Sequence, residues 1–175
     1  MIYITGDTHG EQARFSPAAM PGEDKWGKDD TLIVCGDFGF LFANDERENA
    51  FLDELSEKPY TICFCDGNHE NFPAIYACPR EERYGGKVHR IRKNIFHLMR
   101  GQIFRIENKT IFTMGGAYST DKYMRKEGFS WWKEELPTNE EYREATINLR
   151  EAGNAVDYIV THTAPREVIR LMGKC

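Results

Sequence analysis

The chain has no C-x-x-C pair among its five cysteines, Cys35, Cys63, Cys65, Cys78 and Cys175. Their number is odd and their spacing matches no disulfide framework, which points to a reducing compartment, so a cytoplasmic location is expected. Cys35, Cys63 and Cys65 fall inside apolar runs, where a thiol packs as a small hydrophobe. No apolar stretch is long enough to span a membrane. The first residues lack a basic region followed by a long apolar one, so no secretory signal is expected. Basic charge is not in excess either. The net charge of −5 argues against loose, charge-driven binding to nucleic acid, though not against gripping one phosphate locally. Neither repeats, low-complexity tracts nor linkers divide the chain, and one domain over residues 1–175 is expected.

What remains is an ordinary globular composition, and 175 residues suffice to bury a substantial core. The chain is organised around its opening, MIYITGDTHG. Ile2, Tyr3 and Ile4 read as a short buried strand that stops at Thr5 and Gly6. Asp7 and His9 follow, a hard carboxylate and an imidazole, which together suit a first-row divalent metal. A strand that ends in a glycine turn leaves its next polar side chains in the crevice beyond its carboxyl end.

The arrangement recurs. Thr31 to Cys35 is a second apolar run, ending in Gly36-Asp37-Phe38-Gly39-Phe40. Thr61 to Cys65 is a third, ending in Asp66-Gly67-Asn68-His69-Glu70. Val156 to Val160 is a fourth, ending in Thr161-His162. Between the second and third, Asn44 or Asp45 is placed to cap a helix reaching about Lys58, with Ala50, Phe51 and Leu55 on one face. From Lys87 to Met114 the runs are half-apolar and closely spaced, which predicts an antiparallel meander and a second sheet. Within it, Glu107-Asn108-Lys109 reads as a hairpin turn and His89 and His97 as ordinary strand residues. Residues 118–136 are irregular, and Thr138 with Glu141 forms a capping box for a helix over Tyr142, Ala145 and Leu149.

Parallel strands would bring the four polar turns to one edge. The set then contains Asp7, His9, Asp37, Asn68, His69 and His162, a mixture of oxygen and nitrogen donors that suits two divalent cations about 3.5–4 Å apart. Asp37 is the natural bridge, because a carboxylate has two oxygens. Arg80, Arg83, Lys87, Arg90, Arg92, Lys93 and Arg100 read as a solvated basic face, with a phosphate-rich ligand as the alternative; Lys122 and Arg125, after the Gly-Gly-Ala turn, read as surface charge, with contact to substrate as the alternative.

Gly6-Asp7-Thr8-His9-Gly10, Gly36-Asp37, Gly67-Asn68-His69-Glu70 and Thr161-His162, in that order over essentially the whole chain, resemble the calcineurin-like metallophosphoesterases. The segment Gly115 to Ser119 and Trp131-Trp132 resemble bacterial members. The resemblance implies an α/β fold of two packed mixed β-sheets flanked by helices. It implies that Asp7 and His9 bind a first metal ion (manganese, iron, zinc or similar), that Asn68 and His162 bind a second, and that Asp37 bridges. His69 would serve the leaving group as general acid or electrostatic partner. The implied reaction is hydrolysis of a phosphate mono- or diester on a phosphorylated substrate, by a metal-bound hydroxide. The alternative is a non-catalytic member that binds proteins.

Two departures accompany the resemblance. The family usually carries a Gly-His-x-His element after the fourth turn, and none precedes Cys175. That implies either a chain cut short or a site with one nitrogen ligand fewer on each metal. Many members also place an aspartate and an arginine where this chain has Phe40 and Leu41, so another residue must orient His69.

Overall fold

The structure is a computed structural model and describes residues 1–173. Three parallel strands form its spine: β1 (Ile2–Thr5), β2 (Thr31–Cys35) and β3 (Thr61–Cys65). They continue into β6 (Ile95–Leu98), parallel to β3, and then into the antiparallel β5 (Gly86–Arg92) and β4 (Arg80–Arg83). The six-stranded order is β1-β2-β3-β6-β5-β4. A smaller sheet contains β7 (Ile103–Ile106), β8 (Lys109–Met114) and β9 (Tyr158–Thr161), with β9 parallel to β8. The helices are α1 (Glu46–Ser56), α2 (Phe72–Tyr76), α3 (Asn139–Glu151) and α4 (Arg166–Leu171). The fold is α/β, with two mixed sheets flanked by helices. Among the described residues no helix is long and apolar enough to cross a membrane.

The central strands are apolar on both faces because both faces are covered, as parallel sheets require. Leu32, Val34, Ile62, Phe64 and Ile95 point to one side. They pack there with Phe51, Leu52 and Leu55 of α1 and with an aromatic group of Phe15, Trp26, Phe38, Phe40 and Tyr60. The alternate residues Ile33, Cys63, Cys65, Phe96 and Leu98 meet Phe104, Ile106, Ile111 and Val160 of the smaller sheet. Asp45 caps α1 by accepting from the Glu48 N–H, and both halves of the Thr138–Glu141 capping box are formed. On α1 the buried face uses Leu52 rather than the expected Ala50, which is exposed.

Three expectations change. β1 is an edge strand, paired only with β2, and Ile4 is 55% exposed rather than buried. The expected meander is split between sheets: β5 and β6 extend the first, while β7 and β8 form the second with β9. Hydrophobic spacing identifies such strands but not their partners. The basic stretch is not a free solvated face, because most of its members pair with acids. Arg90 meets Glu81, Lys87 meets Glu144, Arg92 meets Asp53 and Lys93 meets Glu57. Arg100 is buried against Asp66.

His89 and His97 likewise prove to be more than strand residues. Their Nδ1 atoms are 3.0 Å apart, and His97 Nε2 is 3.0 Å from Asp66 Oδ1, all in buried surroundings. The chain of bonds closes when His97 donates from Nε2 and accepts at Nδ1. Burial, with His97 and Arg80 beside it, pushes the His89 imidazole down to about 4. An unfolded histidine titrates near 6.5, so below that pH the unfolded chain takes up a proton that the folded one refuses. Stability therefore falls as the pH drops from there toward 4. Urea unfolding at about pH 7 and about pH 4.5 should differ by about 2 kcal/mol from this group, and His89→Gln should remove most of that difference.

Candidate metal centre

The polar turns after β1, β2 and β3 interlock before any side chain is considered. The N–H groups of Thr8 and His9 both donate to the Asp37 carbonyl, at 3.1 and 2.7 Å, and Gly10 N–H donates to Phe38 O. Thr8 Oγ1 also donates to Phe38 O, and Phe38 N–H donates to Glu70 Oε1. His9 and Asp37 both take the left-handed backbone conformation, each with φ of +46°. Such conformations are uncommon for residues with a Cβ and concentrate at working sites.

Close packing accounts for two glycines. A Cβ on Gly67 would overlap Asp37 Oδ1 and lie 2.5 Å from the Asp37 backbone nitrogen. A Cβ on Gly36 would overlap the His162 ring. Glycine at these positions lets the loop ends of the first sheet and the last strand of the second share one volume.

Asp37 is at the centre. It is 3% exposed, and its Oδ1 accepts the His69 N–H at 2.8 Å. Its Oδ2 faces His9 Nε2 at 3.5 Å and His162 Nε2 at 3.6 Å. His162 Nδ1 lies 3.0 Å from the Cys35 carbonyl and 3.4 Å from Asp7 Oδ1. With Nδ1–H given to that carbonyl, the Nε2 lone pair faces inward, where Asn68 Oδ1 is 3.2 Å away. The amide is oriented from behind. Asn68 Nδ2 donates to Ser119 Oγ, and the Ser119 hydroxyl donates in turn to the buried Glu135 carboxylate. In that tautomer His162 Nε2 presents its lone pair between Asn68 Oδ1 and Asp37 Oδ2, 3.2 and 3.6 Å away.

Two donor groups share Asp37. Asp7, Asp37 and His162 bring one donor atom each within 4.8 Å of one another, and so do His9, Asp37 and His69. Two ligands on a first-row cation, each about 2.1 Å from it at tetrahedral angles, sit about 3.4 Å apart. The separations around Asp37 Oδ2 match that value, so the residues present fit divalent-cation binding. Asp7 is the open side, with a side chain 52% exposed.

His69 sits where burial, Arg125 and His9 lower its pKa and Asp37 opposes them. Arg125 Nη2 is 3.0 Å from His69 Nε2. Phe40, in contrast, is 1% exposed within the aromatic group and offers no polar atom to His69. Glu70, directly behind the loops, is fully buried. Burial first, then Asp37 and Asp66, pushes its carboxyl well above the ordinary range. Trp132 is buried against Phe42, and Trp131 is half-buried beside Lys122.

The sequence model of the family described as "Calcineurin-like phosphoesterase" matches residues 1–174. The chain is a calcineurin-like phosphoesterase. No curated protein and no solved structure matches it. Family membership makes it a metallophosphoesterase in the general sense, from a family that uses divalent metal ions. Reading the sequence missed Ser119 and Glu135 as supports of Asn68, and it placed Arg125 on the surface. Glu135 stands in a Lys-Glu-Glu run that looks like any charged turn.

Gly67→Ala should test how tightly the loops of this phosphoesterase are joined. The added methyl should cost about 3 kcal/mol and lower Tm by about 10 °C in a thermal melt. An unchanged Tm would show that the loops can part without loss.

Proposed function

We propose that the chain hydrolyses a phosphate ester at a pair of divalent cations held by Asp7, His9, Asp37, Asn68 and His162. The observation that carries this reading is the convergence of His9 Nε2 and His162 Nε2 on Asp37 Oδ2, at 3.5 and 3.6 Å, with Asn68 Oδ1 3.2 Å from His162 Nε2. Separations of this size suit ligands that share a cation. Asp7 extends the set, and Asp37 belongs to both halves.

When bound, two such cations supply an activated water near neutral pH and neutralise phosphoryl oxygens. The protein's own groups do the rest. The Cys35 carbonyl holds the His162 tautomer, and Ser119 with Glu135 fixes the Asn68 amide; supports of this kind keep ligands from swinging away. The Asp37 carboxylate is oriented by the His69 N–H. His69 stands at the mouth beside His9, their rings 5.3 Å apart and edge-on. Its Nε2 accepts from Arg125, so the neutral ring carries its proton on Nδ1; a departing oxygen takes a proton from the imidazolium, which forms once Nε2 is released from Arg125 and is itself protonated.

A cavity of about 440 Å³ opens beside His9 and His69, floored by Phe40 and Phe42 and reached by Arg47 and Arg125. Its volume suits a small phosphorylated molecule. Manganese is a reasonable first cation to supply, given the oxygen-rich donors.

Purified chain titrated with manganese should bind two ions and turn over a chromogenic phosphate monoester. A chain that binds none at saturation is a scaffold, not an enzyme. Asp37→Asn should reduce kcat about a thousandfold or more and remove at least one ion by metal analysis. His69→Ala should slow hydrolysis of an alkyl phosphate, whose leaving group needs a proton, far more than that of a nitrophenyl phosphate. Equal losses on the two would count against proton donation.

A further inference from the structure

Arg125 belongs to a stretch whose other large side chains face solvent: Tyr123, Met124 and Phe129 are 81%, 71% and 73% exposed. Its own side chain turns the other way and is 19% exposed. Three contacts hold it there. Nε donates to Asp121 Oδ2 at 2.9 Å, and Nη2 lies 2.8 Å from the same oxygen. Nη1 donates to the Ser130 carbonyl at 3.2 Å. The loop behind it is pinned in turn, since the Ser130 hydroxyl accepts from the Lys126 N–H. The free end of the guanidinium reaches His69 Nε2 and lines the cavity beside His9. A guanidinium has five N–H donors. Four are used in these contacts, and one is left facing no protein acceptor.

The other charges around that cavity are less suited to a substrate. Asp45 accepts from the Glu48 N–H, and Glu48 accepts from the N–H groups of Ala43 and Asn44. Those two carboxylates are committed to holding the start of α1. Arg47 is exposed at the outer wall. Apart from Asp45, the loop after β2 lines the cavity with Gly39, Phe40, Phe42 and Ala43, none of which carries a charged side chain. That leaves one cation that is held in place, partly shielded and adjacent to the donor groups.

We infer that Arg125 is a substrate-binding residue, giving its open N–H and the one now on His69 to the phosphoryl oxygens, with Asp121 as the residue that positions it. This rests on the phosphoesterase reading above. Arginine suits the task because its planar fork matches phosphate oxygens and stays charged at any working pH. The Asp121 carboxylate removes much of the freedom that such a long side chain would otherwise lose on binding. Handing an N–H from His69 to phosphate also releases the imidazole at the moment the substrate is seated.

The test uses inorganic phosphate as probe and the manganese-loaded chain. Calorimetry with Arg125→Gln should show phosphate binding weakened roughly 10- to 100-fold, with manganese stoichiometry unchanged. Arg125→Lys should lose less, and Asp121→Asn should lose roughly 3- to 10-fold through misplacement of the guanidinium. With a chromogenic monoester, all three should raise KM in the same order. Wild-type phosphate affinity in Arg125→Gln, at full manganese loading, would overturn the assignment and leave the phosphoesterase reading intact. A wild-type chain that takes up neither manganese nor phosphate would overturn both.

Discussion

The crowding of donor atoms around Asp37 Oδ2 is the constraint that the rest of the molecule serves. His9 Nε2 and His162 Nε2 lie 3.5 and 3.6 Å from this oxygen and Asn68 Oδ1 lies 3.2 Å from His162 Nε2, an arrangement imposed from outside. The imposition is visible at every atom behind them. Cys35 O holds one ring, Ser119 one amide, and the His69 N–H the other Asp37 oxygen. Two residues keep a left-handed backbone where a relaxed chain would not. Conformational strain and buried polar contacts of this kind concentrate where ligating side chains have to be held in place.

The second requirement is rigidity, and it comes from the loops bonding to each other rather than to water. The turn after β1 hangs on carbonyls of the turn after β2, and that turn hangs on the Glu70 side chain from the turn after β3. Burial in so apolar a place pushes the Glu70 carboxyl well above the ordinary carboxylate range. On the far side, Asp66 is tied to Arg100 and to His97. The same short stretch of β3 and its turn therefore anchors both the donor cluster and a separate buried polar chain.

Most of the scaffold could be read from residues alone because its signals are local. Each central strand is a short apolar run closed by glycine, and both caps use side chains three positions from their partner. The donor residues were legible for the same reason, since each follows its strand within a few positions. Pairing was not legible. Nothing in Val88 to Leu98 says that β6 lies parallel to β3 while β7 joins another sheet. The supports of the site were also hidden, because Ser119 and Glu135 act on Asn68 across about fifty residues or more of sequence, with no shared pattern. Arg125 looked like surface charge in a polar loop, and only the direction of its side chain distinguishes it from Lys126. Phe40 was legible as a departure from the family, and its apolar ring packs in the aromatic core, where it cannot orient His69 as a carboxylate would.

His162 is the one donor carried by the smaller sheet, and it docks on Gly36 and Cys35 of the larger one. Occupancy of the centre is therefore linked thermodynamically to the closure of one sheet upon the other. Any cation held between Asp37 and His162 adds its binding free energy to the sheet–sheet interface, and any loosening of that interface reappears as lost affinity. In this molecule the ion would act as a rivet as much as a reagent.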